Sequence, residues 1–389
     1  MKICILCTSY PRSKDDHWVP FMHAWAKELA KTEDVTVVTS GDANSKSYEV
    51  MDNVNIHRFS YFFPKKLQGL TYTGGMMESF RHNLLAKLQA PFFMLAFILK
   101  SWNVARKCDV INAHWTPSGI AALPIKWIHG KPIVLTEHGG SIRSLPTFLN
   151  KFILKRMDAI TTAHDDLAEA MQGMGIPHVA IIRNFLNEEK FLKKQDKAKI
   201  KKKLGIKNEK IVTFIGRLED MKDPLTFVKA IPHALAKAKN VKFFIVGDGR
   251  LREEVRQEIE KLGIGTHVSL EQPTGNVEQY LAVADIFVAC SSVENCFSTT
   301  ILEAMLSKVP CIITKAGMTE KFFVHKQDAY LVQKQNPKEL GNAIAGLLKD
   351  AKLRQKLAKN GTNFLERYKF RNSMVKDKIV AALKSVIKN

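Results

Sequence analysis

Short apolar runs alternate with stretches of helical period along the chain, and the alternation runs through two cycles. In the first cycle the runs are Lys2–Thr8, Val35–Thr39, Asn55–Phe59, Val110–Ala113, Ile133–Thr136, Ala159–Thr162 and Val179–Ile182. They are nearly continuous in hydrophobicity, as strands covered on both faces are. Between the first two, Val19–Lys31 carries Phe21, Trp25 and Leu29 at helical spacing. Strand, loop, helix and strand in that order predict a Rossmann-like parallel sheet. The stretch Asn187–Lys203 is then polar and lysine-dense with no strand signal, which predicts a domain boundary at its start and a solvated face along its charge run. A second cycle follows, with strands at Ile211–Ile215, Val241–Val246, His267–Leu270, Ile286–Ala289 and Pro310–Thr314. Leu225–Ala238 and Leu251–Leu262 are its helices, and Gln327–Val332 suggests a short hairpin. Asn336–Lys349, Asp350–Arg367 and Tyr368–Asn389 close the chain as helices.

One region departs from this pattern. Phe62–Leu88 is basic and aromatic, and it runs into helices predicted from about Glu78 to Arg106. Lys65, Lys66, Arg81, His82 and Lys87 beside Phe and Met suit a contact with a membrane interface. A helix pair covering the sheet is the other reading, and the two are compatible on opposite faces. The longest apolar run, Pro91–Leu99, is about half of what a membrane span needs.

Chemistry-bearing residues collect just beyond the carboxyl ends of predicted strands, the edge where open α/β sheets bind ligands. His114 follows one strand, within His114-Trp115-Thr116-Pro117-Ser118-Gly119, and His138 follows the next, within Glu137-His138-Gly139-Gly140-Ser141. Gly216-Arg217-Leu218 follows another, with Lys222 five positions after Arg217 and a helix next. Arginine forks two phosphate oxygens and lysine adds a point charge, so this pair predicts a cationic pocket. Gly247-Asp248-Gly249 is a tight turn after the next strand. In Ala282–Thr314, a strand, a polar loop and a helix follow one another, with Ser298 or Thr299 placed to cap the helix. The start of that helix favours an anion. Glu303, one turn inside, can accept hydrogen bonds from the vicinal hydroxyls of a ribose, although a lone glutamate there also simply favours the helix start. Glu294 and Asn295 flank the loop and can hold a second polyol. Phosphate between two hydroxyl-binding groups describes a nucleotide-sugar. No G-x-G-x-x-G occupies the first turn, which argues against NAD there; Pro11-Arg12 stands in that loop, and Arg12 either meets an anionic group or is exposed.

The net charge of +21, from 59 basic and 38 acidic residues, allows nucleic acid, an anionic membrane or a phosphate-bearing substrate as partner. No RNA-binding aromatic signature, zinc finger or helix-turn-helix pattern supports nucleic acid. Six cysteines lie in apolar surroundings, as reduced structural thiols of a cytoplasmic protein do. The chain opens on a strand with no signal-peptide pattern.

ENCFSTTILEAM followed by KVPCIIT resembles the glutamate-rich motif of retaining glycosyltransferases of the GT-B fold, glycosyltransferase family 4. That motif sets two glutamates eight positions apart; here position 295, eight before Glu303, is asparagine, and Glu294 is nine before it. Either Asn295 replaces the first glutamate, or the loop carries one extra residue and Glu294 fills the role. GRLEDMKDP resembles the family's diphosphate-binding G-R-L-x-x-x-K-G loop, with Asp223 where glycine is usual. FFIVGDG, TEHGGSI and HWTPSG resemble further family loops. The resemblance implies an α/β GT-B fold, with two Rossmann-like domains whose parallel sheets face across a cleft. Residues 1–186 would form the acceptor-side domain, with helix 372–389 packing back on it, and 187–371 the nucleotide-sugar domain. It implies a retaining hexosyltransferase with no cofactor and no metal, taking a UDP-, GDP- or ADP-sugar and a glycan or lipid-linked acceptor. Catalytic roles fall to His138, Arg217, Lys222 and Glu294. Donor contacts fall to Arg217, Lys222, Gly247, Asn295, Phe297, Ser298, Thr299 and Glu303, and acceptor-side contacts to Arg12 and His114. His138 would hydrogen-bond the transferred sugar rather than act as a base. A peripheral place at the inner membrane face is an open option for location. A nucleotide-sugar epimerase of the same fold, or an inactive nucleotide-sugar or nucleic-acid binder, stands as the alternative.

Overall fold

In the computed structural model all residues are described except 14, 15, 17, 18, 73–75, 77, 78, 80–82, 140, 141, 143, 144, 294–297, 388 and 389. The chain divides into two units, Met1–Phe185 with Asn372–Asn389, and Leu186–Arg371.

The first unit is built on eight strands: β1 Lys2–Leu6, β2 Asp34–Ser40, β3 Tyr48–Met51, β4 Val54–Phe59, β5 Val110–His114, β6 Ile133–Glu137, β7 Ala159–Thr162 and β8 Val179–Ile181. Their order is β3-β4-β2-β1-β5-β6-β7-β8. Only β3 is antiparallel; it folds back on β4 at the edge, Val50 beside Asn55. The sequence reading missed it because YEVM shows no buried face: just Met51 is buried there. Neighbouring residues of β1 serve opposite faces. Ile3 and Ile5 join a core with Trp25 and Val37, and Cys4 and Leu6 join one with Phe93 and Ile111. That two-sided burial is why the strands read as continuous apolar runs. The helices are α1 Pro20–Ala30, α2 Leu84–Ala105, α3 Thr116–His129, α4 Thr147–Leu154 and α5 Asp165–Gly173.

The second unit holds β9 Lys210–Ile215, β10 Val241–Val246, β11 Val268–Glu271, β12 Ile286–Ala289, β13 Cys311–Lys315 and β14 Tyr330–Gln333, in the order β11-β10-β9-β12-β13-β14. All its pairs are parallel. Gln327–Val332 is therefore not a hairpin: β14 runs parallel to β13, Leu331 beside Ile313. The helices are α6 Glu188–Leu192, α7 Lys197–Lys203, α8 Pro224–Leu235, α9 Arg252–Lys261, α10 Val277–Val283, α11 Thr299–Leu306, α12 Met318–Phe322, α13 Pro337–Lys349 and α14 Ala351–Arg367. The lysine-dense stretch is more than a solvated face, since Phe191 and Ile200 are buried with Phe287 and Leu302. The last helix, α15 Asn372–Ser385, returns to the first unit. Val375, Ile379 and Leu383, four residues apart, enter the core with Ile3 and Trp25.

Candidate functional site

In the second unit the ends of β9 and β10 bring two loops together backbone against backbone. Gly216 N donates to Val246 O at 3.0 Å and Leu218 N to Asp248 O at 2.8 Å, while Leu251 N returns to Leu218 O at 2.9 Å. Such an approach leaves no room for a side chain. A Cβ on Gly247, whose φ is 154°, would fall 1.9 Å from Gly216 O; on Gly249 it would fall 2.5 Å from Leu218 O. The G-D-G turn is thus what lets the arginine loop lie across the sheet edge. Leu218 is buried beneath this loop and Arg217 is exposed above it.

The same loop is tied to the chain leaving β12. Ser292 N donates to Met221 O at 2.9 Å, and Ser292 Oγ to Asp220 O at 2.9 Å. Thr314 Oγ1, on β13, donates to Ser291 O at 2.7 Å. Lys222 Nζ reaches Ser291 Oγ at 3.4 Å. Lys222 is therefore held beside the segment that leads through residues 294–297 into α11. Asp223 explains its own departure from glycine. Its φ is 46°, a left-handed position, and its carboxylate accepts from Thr226 N at 3.1 Å and Thr226 Oγ1 at 2.8 Å, capping α8. Asparagine and aspartate tolerate that backbone better than other non-glycine residues.

Ser298 occupies the cap position of α11 without a capping side-chain bond; its Oγ pairs with Thr300 Oγ1 at 2.9 Å. The expected cap by Ser298 or Thr299 is not made. Glu303 lies one turn inside. Its carboxyl is pushed up to about 7 by burial, opposed by Lys190 and reinforced by Glu278. Lys190 pairs with Glu278 at 3.1 Å. Glu294, Asn295 and Phe297 lie outside the described residues. A cavity of about 890 Å³ in this unit touches Phe191, Glu278, Ala282, Leu306 and Lys308, at the other end of α11 from Ser298.

In the first unit the two histidines are brought together. His114 and His138 stack with centroids 5.2 Å apart, and His114 Nδ1 lies 2.9 Å from His138 Nε2. Phe21, Trp25 and Trp115 surround the His138 ring, at 5.2, 6.3 and 5.0 Å between centroids. Trp115 holds a φ of 65°, a strained conformation of the kind found at ligand sites. The protons can be assigned from the partners. Asn112 Nδ2 donates to Val134 O and Thr136 Oγ1, which turns Asn112 Oδ1 toward Trp25 Nε1 at 3.3 Å and His114 Nε2 at 3.1 Å. His114 must then carry its proton on Nε2 and accept on Nδ1, so His138 donates through Nε2 and keeps Nδ1 as an acceptor. Burial, then the neighbouring His164, lowers His138 to about 3. Burial, then His138, holds His114 well below the usual range. Both rings are neutral at ordinary pH.

Arg12 is neither free nor simply exposed. It donates to Asp16 at 2.6 Å and Asp42 at 3.3 Å and lies 5.1 Å over the Tyr72 ring. Among the described residues no group of three or more His, Cys, Asp or Glu side chains is placed to hold a metal ion. Sequence reasoning missed Asn112, Thr136, Ser291, Ser292 and Lys190. The first two had a signal, as polar positions inside apolar strands; Lys190 was hidden in a lysine run.

The sequence profile described as Glycosyl transferases group 1 matches residues 196–364, and that described as Glycosyltransferase Family 4 matches residues 20–190. N-acetyl-alpha-D-glucosaminyl L-malate synthase of Bacillus anthracis is 28% identical over 71% of this chain and 75% of its own. The GalNAc-alpha-(1->4)-GalNAc-alpha-(1->3)-diNAcBac-PP-undecaprenol alpha-1,4-N-acetyl-D-galactosaminyltransferase of Campylobacter jejuni is 26% identical over 83% and 87%. Among solved structures, HepE of Anabaena with UDP and glucose superimposes with a TM-score of 0.74 at 19% identity, over 99% of this chain and 100% of that one. Two profiles that between them span both units, and a fold shared end to end with HepE, lead to one conclusion: the chain belongs to the family 4 glycosyltransferases and has the GT-B fold.

Proposed function

We propose that this glycosyltransferase moves a hexose from a nucleotide diphosphate sugar to a lipid-linked or glycan acceptor with retention of configuration. The observation that carries the reading is the stapling of the Arg217–Lys222 loop to the chain entering α11, with Glu303 one turn along that helix. Two cations and a helix start that Ser298 leaves without a side-chain cap suit a diphosphate, and a carboxylate one turn along that helix suits a ribose. The UDP and glucose of HepE and the undecaprenol-linked sugar chain in the name of the Campylobacter relative support the donor and acceptor classes.

In the proposed reaction the bond between the sugar's anomeric carbon and the β-phosphate oxygen breaks, and its electron pair stays on that oxygen. Arg217, Lys222 and the amides opening α11 stabilise the charge as it develops. The acceptor hydroxyl attacks from the side the diphosphate leaves, and its proton passes to the departing phosphate oxygen. Neutral His138 accepts a sugar hydroxyl's hydrogen bond on Nδ1. Glu294 or Asn295 holds a further sugar hydroxyl. Ionised Glu303 accepts both ribose hydroxyls.

A panel of UDP-, GDP- and ADP-sugars tests this by product formation with and without added acceptor. Transfer, or slow donor hydrolysis without acceptor, supports the reading. Interconversion of the donor sugar with no acceptor present would mark an epimerase instead.

A further inference from the structure

Helix α2 is largely apolar, yet only part of it is covered. Phe93 and Phe97 are fully buried, in ring contact with Phe59 at 5.3 and 5.0 Å. Gln89 faces inward too: it accepts from Gly69 N at 3.3 Å and donates to Leu67 O at 2.7 Å. On the opposite face Leu84, Leu88, Phe92, Leu95 and Leu99 are 56–75% exposed. Their spacing of four, four, three and four residues places them in a stripe about 100° wide. The stripe continues beyond the helix. Phe62 meets Phe92 at 6.2 Å, which brings the Phe62–Leu67 segment alongside, with Phe63 89% exposed. At the other end Trp102 meets His129 at 4.7 Å, next to exposed Trp127 and Ile128 on α3.

A scattered exposed leucine needs no explanation, but a continuous stripe with aromatic ends does. Its charge surroundings select the occupant. From Phe62 to Lys107 the chain holds seven lysines and arginines and one acidic residue, Glu78. Lys87 is exposed beside the Leu84 end of the stripe, and Lys65 and Lys66 are exposed in the Phe62–Leu67 segment, from where long side chains can reach phosphate headgroups. A second copy of the chain seated face to face would set these cations against their own counterparts. The helix is 22 residues long, with mean hydropathy 1.4 over its most apolar 18 residues, enough for a span by length. Its inner face, however, is part of the core, with Ala86, Phe93, Phe97, Ser101 and Ala105 buried, so it cannot be surrounded by lipid.

We propose that the outer face of α2, with the Phe62–Leu67 segment and Trp127, is a docking surface for an anionic lipid bilayer, the helix lying in the plane of the interface. The apolar stripe enters the boundary between headgroups and chains, and the bordering lysines pair with lipid phosphates. Docking does not require the proposed reaction, although it would serve an enzyme with a lipid-linked acceptor.

The test is co-sedimentation of the full chain with phosphatidylcholine vesicles, with and without 30% phosphatidylglycerol (about one lipid in three, enough to charge the surface). The expected result is binding to the anionic vesicles that salt weakens. Phe92→Glu with Leu95→Glu should reduce partitioning at least about tenfold at unchanged melting temperature, since both side chains already face solvent. Lys65→Glu, Lys66→Glu and Lys87→Glu should each reduce it about fivefold. Absence of binding to anionic vesicles, or binding that the stripe substitutions leave intact, overturns the proposal. So does a concentration-dependent dimer in light scattering that the same substitutions abolish, since the stripe would then face another copy. Nucleotide-sugar binding, measured in parallel without vesicles, shows separately whether the proposed function stands.

Discussion

Glu303 has the most informative titration in the candidate donor site. Its carboxyl sits at about 7 because burial disfavours the charge. A carboxyl raised above its ordinary value favours folding below the ordinary pKa, and that contribution is lost as pH climbs from about 4.5 to 7. Glu303→Gln should therefore stabilise the protein at pH 8, by about 2 kcal/mol, and change little at pH 4.5; melting curves at the two values check this. Donor binding should run the other way. If the ionised form takes the ribose hydroxyls, the Kd for a nucleotide-sugar rises towards tenfold per unit as pH falls below 7, and Glu303→Gln flattens that profile. The histidine pair makes a second prediction. Asn112→Leu removes the acceptor that fixes the tautomer of His114, leaves a buried N–H unmet, and should cost about 1–3 kcal/mol. The nitrogen chemical shifts of His138 should then show a mixture of tautomers in place of one. Arg217, Lys222 and Glu303 stood out in the sequence because they follow predicted strands within stretches that resemble family motifs. Asn112 was visible only as a polar interruption in VINAH, and nothing in its neighbours says which way its amide turns.

At the scale of elements, the loops at the ends of β9 and β10 are one structure. Gly247→Ala would drive a Cβ into Gly216 O, backbone that cannot swing aside. A loss of about 2–4 kcal/mol is expected, with donor affinity falling as the Arg217 loop is displaced. Gly263→Ala is the control: its φ is 62° but nothing lies within 4 Å of the added carbon, so only about 1 kcal/mol is at stake. Thermal melts of both variants decide whether close approach or backbone angle is the reason for glycine at 247. Most of the parallel strands were legible because they are buried on both faces and so lack polar alternation. β3 was not, since only Met51 of YEVM is buried, and β14 reads as part of a hairpin because its parallel partner β13 lies across the intervening α12. Residues 294–297 gave their types but not which of Glu294 and Asn295 would meet the sugar.

At the scale of the whole molecule, the sequence divides where the hydrophobic pattern does. The shift to polar lysine-rich chain at Asn187 falls one residue past the start of the second unit, Leu186–Arg371, whose core Phe191 and Ile200 join. The crossing of α15 to the first unit has no local signal; only the resemblance to a family suggested it. Part of the basic excess, seven basic against one acidic residue from Phe62 to Lys107, falls in the stretch that contains the apolar face of α2. The central claim is that the cations after β9 and the start of α11 hold a donor diphosphate. It is tested most directly by equilibrium binding of UDP-, GDP- and ADP-sugars to the wild type and to the Arg217→Ala, Lys222→Ala double variant. The account predicts that at least one nucleotide-sugar binds, and that the double variant loses about a hundredfold or more in affinity while keeping its melting temperature. Equal binding by the folded variant, or no binding of any nucleotide-sugar to the wild type, would contradict it.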